Sequence, residues 1–265
     1  MRTEHKLGDD QKIFTILIIV LIVLSWVALW FLGNSPYGRF VIHQNAGEVS
    51  HGIGYDGDYF LLVGFFVISW TLMIVAMMLP TSIPLVNIFR IIINDRTNRI
   101  QLTALLISGY LSMWMLFGVI AHIGDWGIHQ VMQRTWLRSN AWMIGPAALL
   151  IAGTYQFTSL KYNCLDKCRS PRSFILEHWK GGNEQLQSFR LGVGHGIFCI
   201  GCCWTLMLLM FTVGVGNIGW MLVLGTVMAI EKNMPWGRRI STPLGIILLM
   251  WGLILVGMNW NIVMG

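Results

Sequence analysis

Seven apolar stretches separated by polar or charged segments set the pattern of this chain. The first, 13–33, is about 21 residues long, enough for a helix to cross a hydrocarbon layer of roughly 30 Å. It is too long for a signal-peptide core, and Glu4, Asp9 and Asp10 precede it, so it reads as a retained anchor. The second, 59–79, closes on MMLP, where Pro80 and Pro84 predict a stop or a kink. The third covers 102–123, the fourth 141–160, the fifth 191–213 and the seventh 243–263. The sixth, 217–231, is short for a crossing. Between them, 34–58 is a polar, glycine-rich loop and 161–189 is the longest strongly charged connection. The expectation is an all-α polytopic membrane helix bundle of seven spans, forming one domain over 1–265.

The basic residues test that parse. Assigned loop by loop, the eighteen Lys and Arg residues divide fifteen to three between alternate sides. Positive charge stays on the cytoplasmic side, so the N-terminus is expected inside and the C-terminus outside. Without the sixth stretch, Lys232, Arg238 and Arg239 fall on the wrong side, which favours seven spans over six.

Composition supports a membrane class: 55% of the 265 residues are hydrophobic and only 11% charged, against about a quarter in soluble domains. The net charge of +6 is spread over short loops rather than gathered on one surface, so nucleic acid is not an expected partner. The expected surroundings are the lipid bilayer, in the inner (plasma) membrane of a bacterium.

Candidate chemistry centres on RLGVGHGIFCIGCCW, 190–204, which opens the fifth stretch. On a helix at about 100° per residue, with His195 at zero, Cys199 falls near 40°, Cys202 near −20° and Cys203 near 80°. One histidine and three cysteines thus share a stripe about 100° wide, continued by Met207 and Met210. Gly192 and Gly196 beside it, and Gly194 and Gly201 opposite, would let other helices approach closely on both sides. With the expected topology, the inner half of the bilayer also receives Met73, Met77 and Met78 from the second span, Glu231 from the sixth, and Cys164 and Cys168 from the charged connection. Thiolate and thioether donors favour Cu(I), and thiolate with imidazole also suits Zn(II). A bound cation would relieve the cost of placing thiolates in hydrocarbon. His195 and Cys203 stand about 12 Å apart along the axis, so either one site uses part of the stripe or the stripe is a series of weaker sites. Each residue alone has a packing explanation, since free cysteine behaves as a small hydrophobe. Glu231 is either a ligand or the partner of its neighbour Lys232, and His43, His51, His122 and His129 lie towards the outer side.

Five segments, WTLMIVAMMLP (70–80), GYLSMWMLFG (109–118), YQFTSLKYNCLDKCRSP (155–171), GHGIFCIGCCWTLM (194–207) and MAIEKNMPWG (228–237), together resemble a bacterial family of predicted metal-binding integral membrane proteins, a domain of unknown function. The resemblance covers most of the chain from the second span onward. It implies metal binding by Cys164, Cys168, His195, Cys199, Cys202 and Cys203. Ser159 stands where the family has proline, which bears on how the fourth helix ends.

The leading functional expectation is handling of a soft metal ion, copper before zinc, by a transporter or metallochaperone. Met77 and Glu231 complete the candidate ligand set. The alternatives are a scaffold or assembly factor with a membrane or metallochaperone protein partner, and a membrane thiol-redox protein. Disulfides facing a reducing cytoplasm are mostly transient, which disfavours the last. No GxSxG, P-loop or HExxH motif is present, so enzyme activity is not expected.

Overall fold

The computed structural model describes residues 2–34, 57–132, 141–179, 182–213 and 217–264, and their regular structure is helical throughout. Among the described residues ten α-helices follow in order: α1 Arg2–Asn34, α2 Gly57–Met77, α3 Leu79–Ile92, α4 Arg99–Met132, α5 Ile144–Tyr155, α6 Ser159–Arg169, α7 Pro171–His178, α8 Glu184–Val213, α9 Ile218–Asn233 and α10 Ser241–Met264. His43 and His51 lie outside the described residues, as does the side chain of His129.

Among the described residues, four helices are long and apolar enough to cross a membrane: Lys12–Gly33, Arg99–Gly124, Glu184–Met210 and Gly237–Asn259. A fifth arises if the pair Val67–Met77 and Leu79–Ile92, bent by 63°, is taken as one span. The MMLP segment therefore bends the chain at Met78 rather than ending it. Pro80 sits in the first turn of α3, where its missing N–H has no helical partner to lose. The hydroxyls of Thr81 and Ser82 donate to the carbonyls of Met78 and Leu79 at 2.8 and 2.9 Å, and Tyr110 of α4 also donates to Met78 O at 3.2 Å.

The fourth expected span, 141–160, differs most from a single helix. A 3₁₀ turn, Ala141–Met143, leads into α5, which is 12 residues long, or about 18 Å. Thr158 then takes extended backbone angles and its side chain accepts the N–H of Lys161, capping α6. The chain restarts as a helix at Ser159. The charged connection expected as a loop is likewise two short helices, with Pro171 opening α7.

α8 occupies the centre. Of its apolar window 56% is buried, against 17–28% for the other three long spans. It packs along α4 almost backbone to backbone. A Cβ on Gly192 would lie 2.0 Å from Leu106 O, and one on Gly109 2.3 Å from Phe189 O. Without tight glycine contacts, helices embedded in apolar surroundings gain little from association, because lipid packs as well as leucine does. The periphery is correspondingly greasy: Ile16, Leu17 and Phe31 of α1 and Ile247, Leu253 and Met258 of α10 are all exposed.

Candidate metal centre

Placing α8 at the centre buries its whole chemical stripe. His195, Cys199, Cys202 and Cys203 are all sequestered, and all five cysteines of the chain are free thiols. The Sγ atoms of Cys202 and Cys203 donate to the Cys199 carbonyl at 3.1 and 2.9 Å, the local bond a cysteine makes to the preceding turn. Cys164 and Cys168, spaced i and i+4, share the face of α6 that meets α8. The approach is close because Gly201 has no side chain: a Cβ there would lie 2.6 Å from Cys164 Sγ. Tyr155, at the end of α5, locks the same point by donating to Gly201 O. Interaction with the neighbouring Cys199 and Cys202 pushes the Cys168 thiol well above the ordinary value; burial pushes that of Cys164 up. A metal taken up by protonated thiols would displace their protons.

At the bend between α2 and α3, Met78 turns its sulfur to α8, 4.0 Å from Cys203 Sγ. Met77, the methionine expected in the ligand set, instead lays its methyl against Gly225 of α9. Tyr110 closes the side towards α4, its hydroxyl 3.1 Å from Cys199 Sγ.

Among these sulfurs lies a cation. Lys232 of α9 is buried, with Nζ 3.0 Å from Cys199 Sγ, 3.6 Å from Cys203 Sγ and 3.7 Å from Met78 Sδ. Its neighbour Glu231 faces elsewhere. The Glu231 carboxylate receives the ammonium of Lys161 at 2.8 and 3.0 Å and the hydroxyl of Ser241 at 2.7 Å, while Lys161 also donates to Gln156. All four are buried, so this network ties α6, α9 and the start of α10 to the end of α5 without open valences. Arg169 extends the tie by donating to the carbonyls of Glu231, Met234 and Pro235 at 3.3, 2.8 and 2.7 Å. The pairing of Glu231 with adjacent Lys232, one of the two readings of the sequence, gives way to two separate charge systems.

His195 meets the sulfur cluster through Tyr110, whose hydroxyl lies at Cys199 Sγ. Its ring lies against Tyr110 and Phe174, with centroids 5.6 and 5.9 Å apart, beside an apolar gap at α3 and α4 too narrow to admit water. Among the described residues, no group of three or more His, Cys, Asp and Glu side chains is preassembled around a metal position. What is assembled is a set of soft donors, Cys199, Cys203 and Met78, around an ammonium, with Cys168 and Cys202 in reach of Cys199.

The sequence pattern finds the cysteines but misses Lys232, Lys161 and Tyr110. Both lysines read as loop charges flanking spans. Their available signal is position: each lies within a turn of a span end that also carries ligand candidates.

Residues 67–255 match a protein family, PpoB2, described as copper chaperone. No curated protein and no solved structure matches the chain.

Proposed function

The chain belongs to the copper-chaperone family over residues 67–255, and from that premise we propose that it is an integral membrane metallochaperone that holds Cu(I) on the sulfur cluster of α8 and passes it to a protein partner. The observation that carries this reading is the convergence of Cys199, Cys203 and Met78 on one buried cation, the ammonium of Lys232. A position already lined by two thiols and a thioether at 3.0–3.7 Å from a positive charge has the donor chemistry of Cu(I), a soft monovalent ion satisfied by two or three sulfurs. Cys168 and Cys202 supply further thiols for exchange, and Cys164 buttresses them against Gly201. Copper is cargo in this reading, so no catalytic chemistry is assigned.

In the same proposal the protein lies in the bacterial inner membrane with seven crossings and its N-terminus in the cytoplasm. Burial of Lys161 and Lys232 removes two residues from the loop charges, and thirteen against three still favours that orientation. α5 and α9 would cross as short helices, which a bilayer accommodates by local thinning.

The test is metal analysis of the full chain purified in detergent under reducing conditions after Cu(I) loading. We expect stoichiometric copper in the wild type and loss of it when Cys199, Cys202 and Cys203 are changed together to Ser. A wild-type protein that retains no copper removes the proposal.

A further inference from the structure

The least expected feature of the site is that its sulfurs already hold a positive charge. A buried lysine is costly unless something compensates it, and the nearest carboxylate in sequence, Glu231, is spent on Lys161 and Ser241. What faces Lys232 Nζ is sulfur from α8 and from the α2–α3 bend, and the Tyr110 hydroxyl also contacts Cys199 Sγ. The lysine stem arises from α9, a different element from those that bear the sulfurs. The charge is thus carried into the sulfur cluster by α9 and not by the segments that bear the donors.

We propose that Lys232 is the specificity-determining residue of this site, a tethered monovalent cation that presets the sulfur cluster for Cu(I) or Ag(I) and against divalent ions such as Zn(II). The inference rests on the metal-handling reading above and adds the discrimination. Its basis is charge. One ammonium balances one thiolate. A Cu(I) ion bound to that thiolate and to a second thiol, whose proton leaves to solvent, adds one charge of each sign and keeps the cluster neutral. Zn(II) on the same two sulfurs leaves one positive charge uncompensated in a low-dielectric interior. Repulsion from the ammonium is also twice as large for a divalent as for a monovalent ion at the same distance. Donor softness alone does not separate Cu(I) from Zn(II) on thiolates, since both bind them.

The experiment measures Cu(I), Ag(I), Zn(II) and Cd(II) affinities of the full chain in detergent, by competition with chelators, for wild type, Lys232→Met and Lys232→Arg. Thermal unfolding confirms that each variant is folded. We expect Lys232→Met to narrow the ratio of Cu(I) to Zn(II) affinity by at least about tenfold, chiefly by gaining Zn(II). Lys232→Arg, which keeps the charge, is expected to hold the ratio within about threefold. A folded Lys232→Met with an unchanged ratio overturns the proposal. Wild type supplies an arm independent of any variant, because Ag(I) and Cd(II) are both soft and differ in charge. Ag(I) retained against equimolar Cd(II) supports the proposal, and Cd(II) displacing Ag(I) overturns it. A wild type that binds none of the four ions removes the metal-handling reading itself, a result distinct from binding without discrimination.

Discussion

At the scale of single residues, the two adjacent methionines at the end of α2 have different tasks. Met78 Sδ lies near both Cys203 Sγ and Lys232 Nζ, while the Met77 methyl packs on Gly225. Met78→Leu, which keeps volume and loses the sulfur, is expected to weaken Cu(I) binding about tenfold, or ~1.4 kcal/mol. Met77→Leu is expected to leave it within about twofold, both measured by chelator competition. Equal effects would mean that the thioether at Met78 contributes nothing specific. The sequence could not separate these two. Helical phase assigns directions along a straight helix, and the chain bends by 63° where they lie. The α8 stripe was legible for the opposite reason: α8 runs unbroken through His195, Cys199, Cys202 and Cys203, so the angular reading holds and all four are buried. Even there, phase gives direction and not company. It put His195 on the stripe with the cysteines but could not name Tyr110 and Phe174, the rings against which it packs.

At the scale of elements, what places the donors is how α6 and α9 are held against α8. Lys161, Gln156, Glu231 and Ser241 form a closed buried network, and removing one charge leaves the other unpaired in a dry interior. Glu231→Gln is therefore expected to destabilise the protein by about 3–5 kcal/mol, seen as a lower Tm in detergent, while copper stoichiometry is kept below the new Tm. Copper lost without a change in Tm would instead return Glu231 to the ligand set, where the sequence had placed it. The α4–α8 seam gives a second expectation. Gly192→Leu forces a side chain into the Leu106 carbonyl and is expected to cost about 1–3 kcal/mol or more, again read as Tm. The glycines were visible in the sequence as a way for helices to approach. α6 was not, because its charged composition reads as solvent-exposed connection and gives no apolar period. The i and i+4 spacing of Cys164 and Cys168 was the one helical sign in it, and Gly201 receives the first of that pair.

At the scale of the whole molecule, the number of crossings depends on the two short helices. Hydropathy alone identified seven stretches, and four described helices, or five with the bent pair, have the length and composition to span. α5 and α9 fall short because the chain needs their ends for other purposes: α5 stops at Tyr155 and Gln156, which engage Gly201 and Lys161, and α9 carries Glu231 and Lys232 into the interior. A length rule drawn from lipid thickness cannot see that buried polar contacts can satisfy a helix end below the surface. Reporter fusions decide the matter. If both short helices cross, fusions at the N-terminus and within 161–189 report the cytoplasm, and a fusion at the C-terminus reports the outside. A C-terminal fusion reporting the cytoplasm makes one of the two re-entrant, and the 161–189 fusion then identifies which: an outside signal there singles out α5, an inside signal α9.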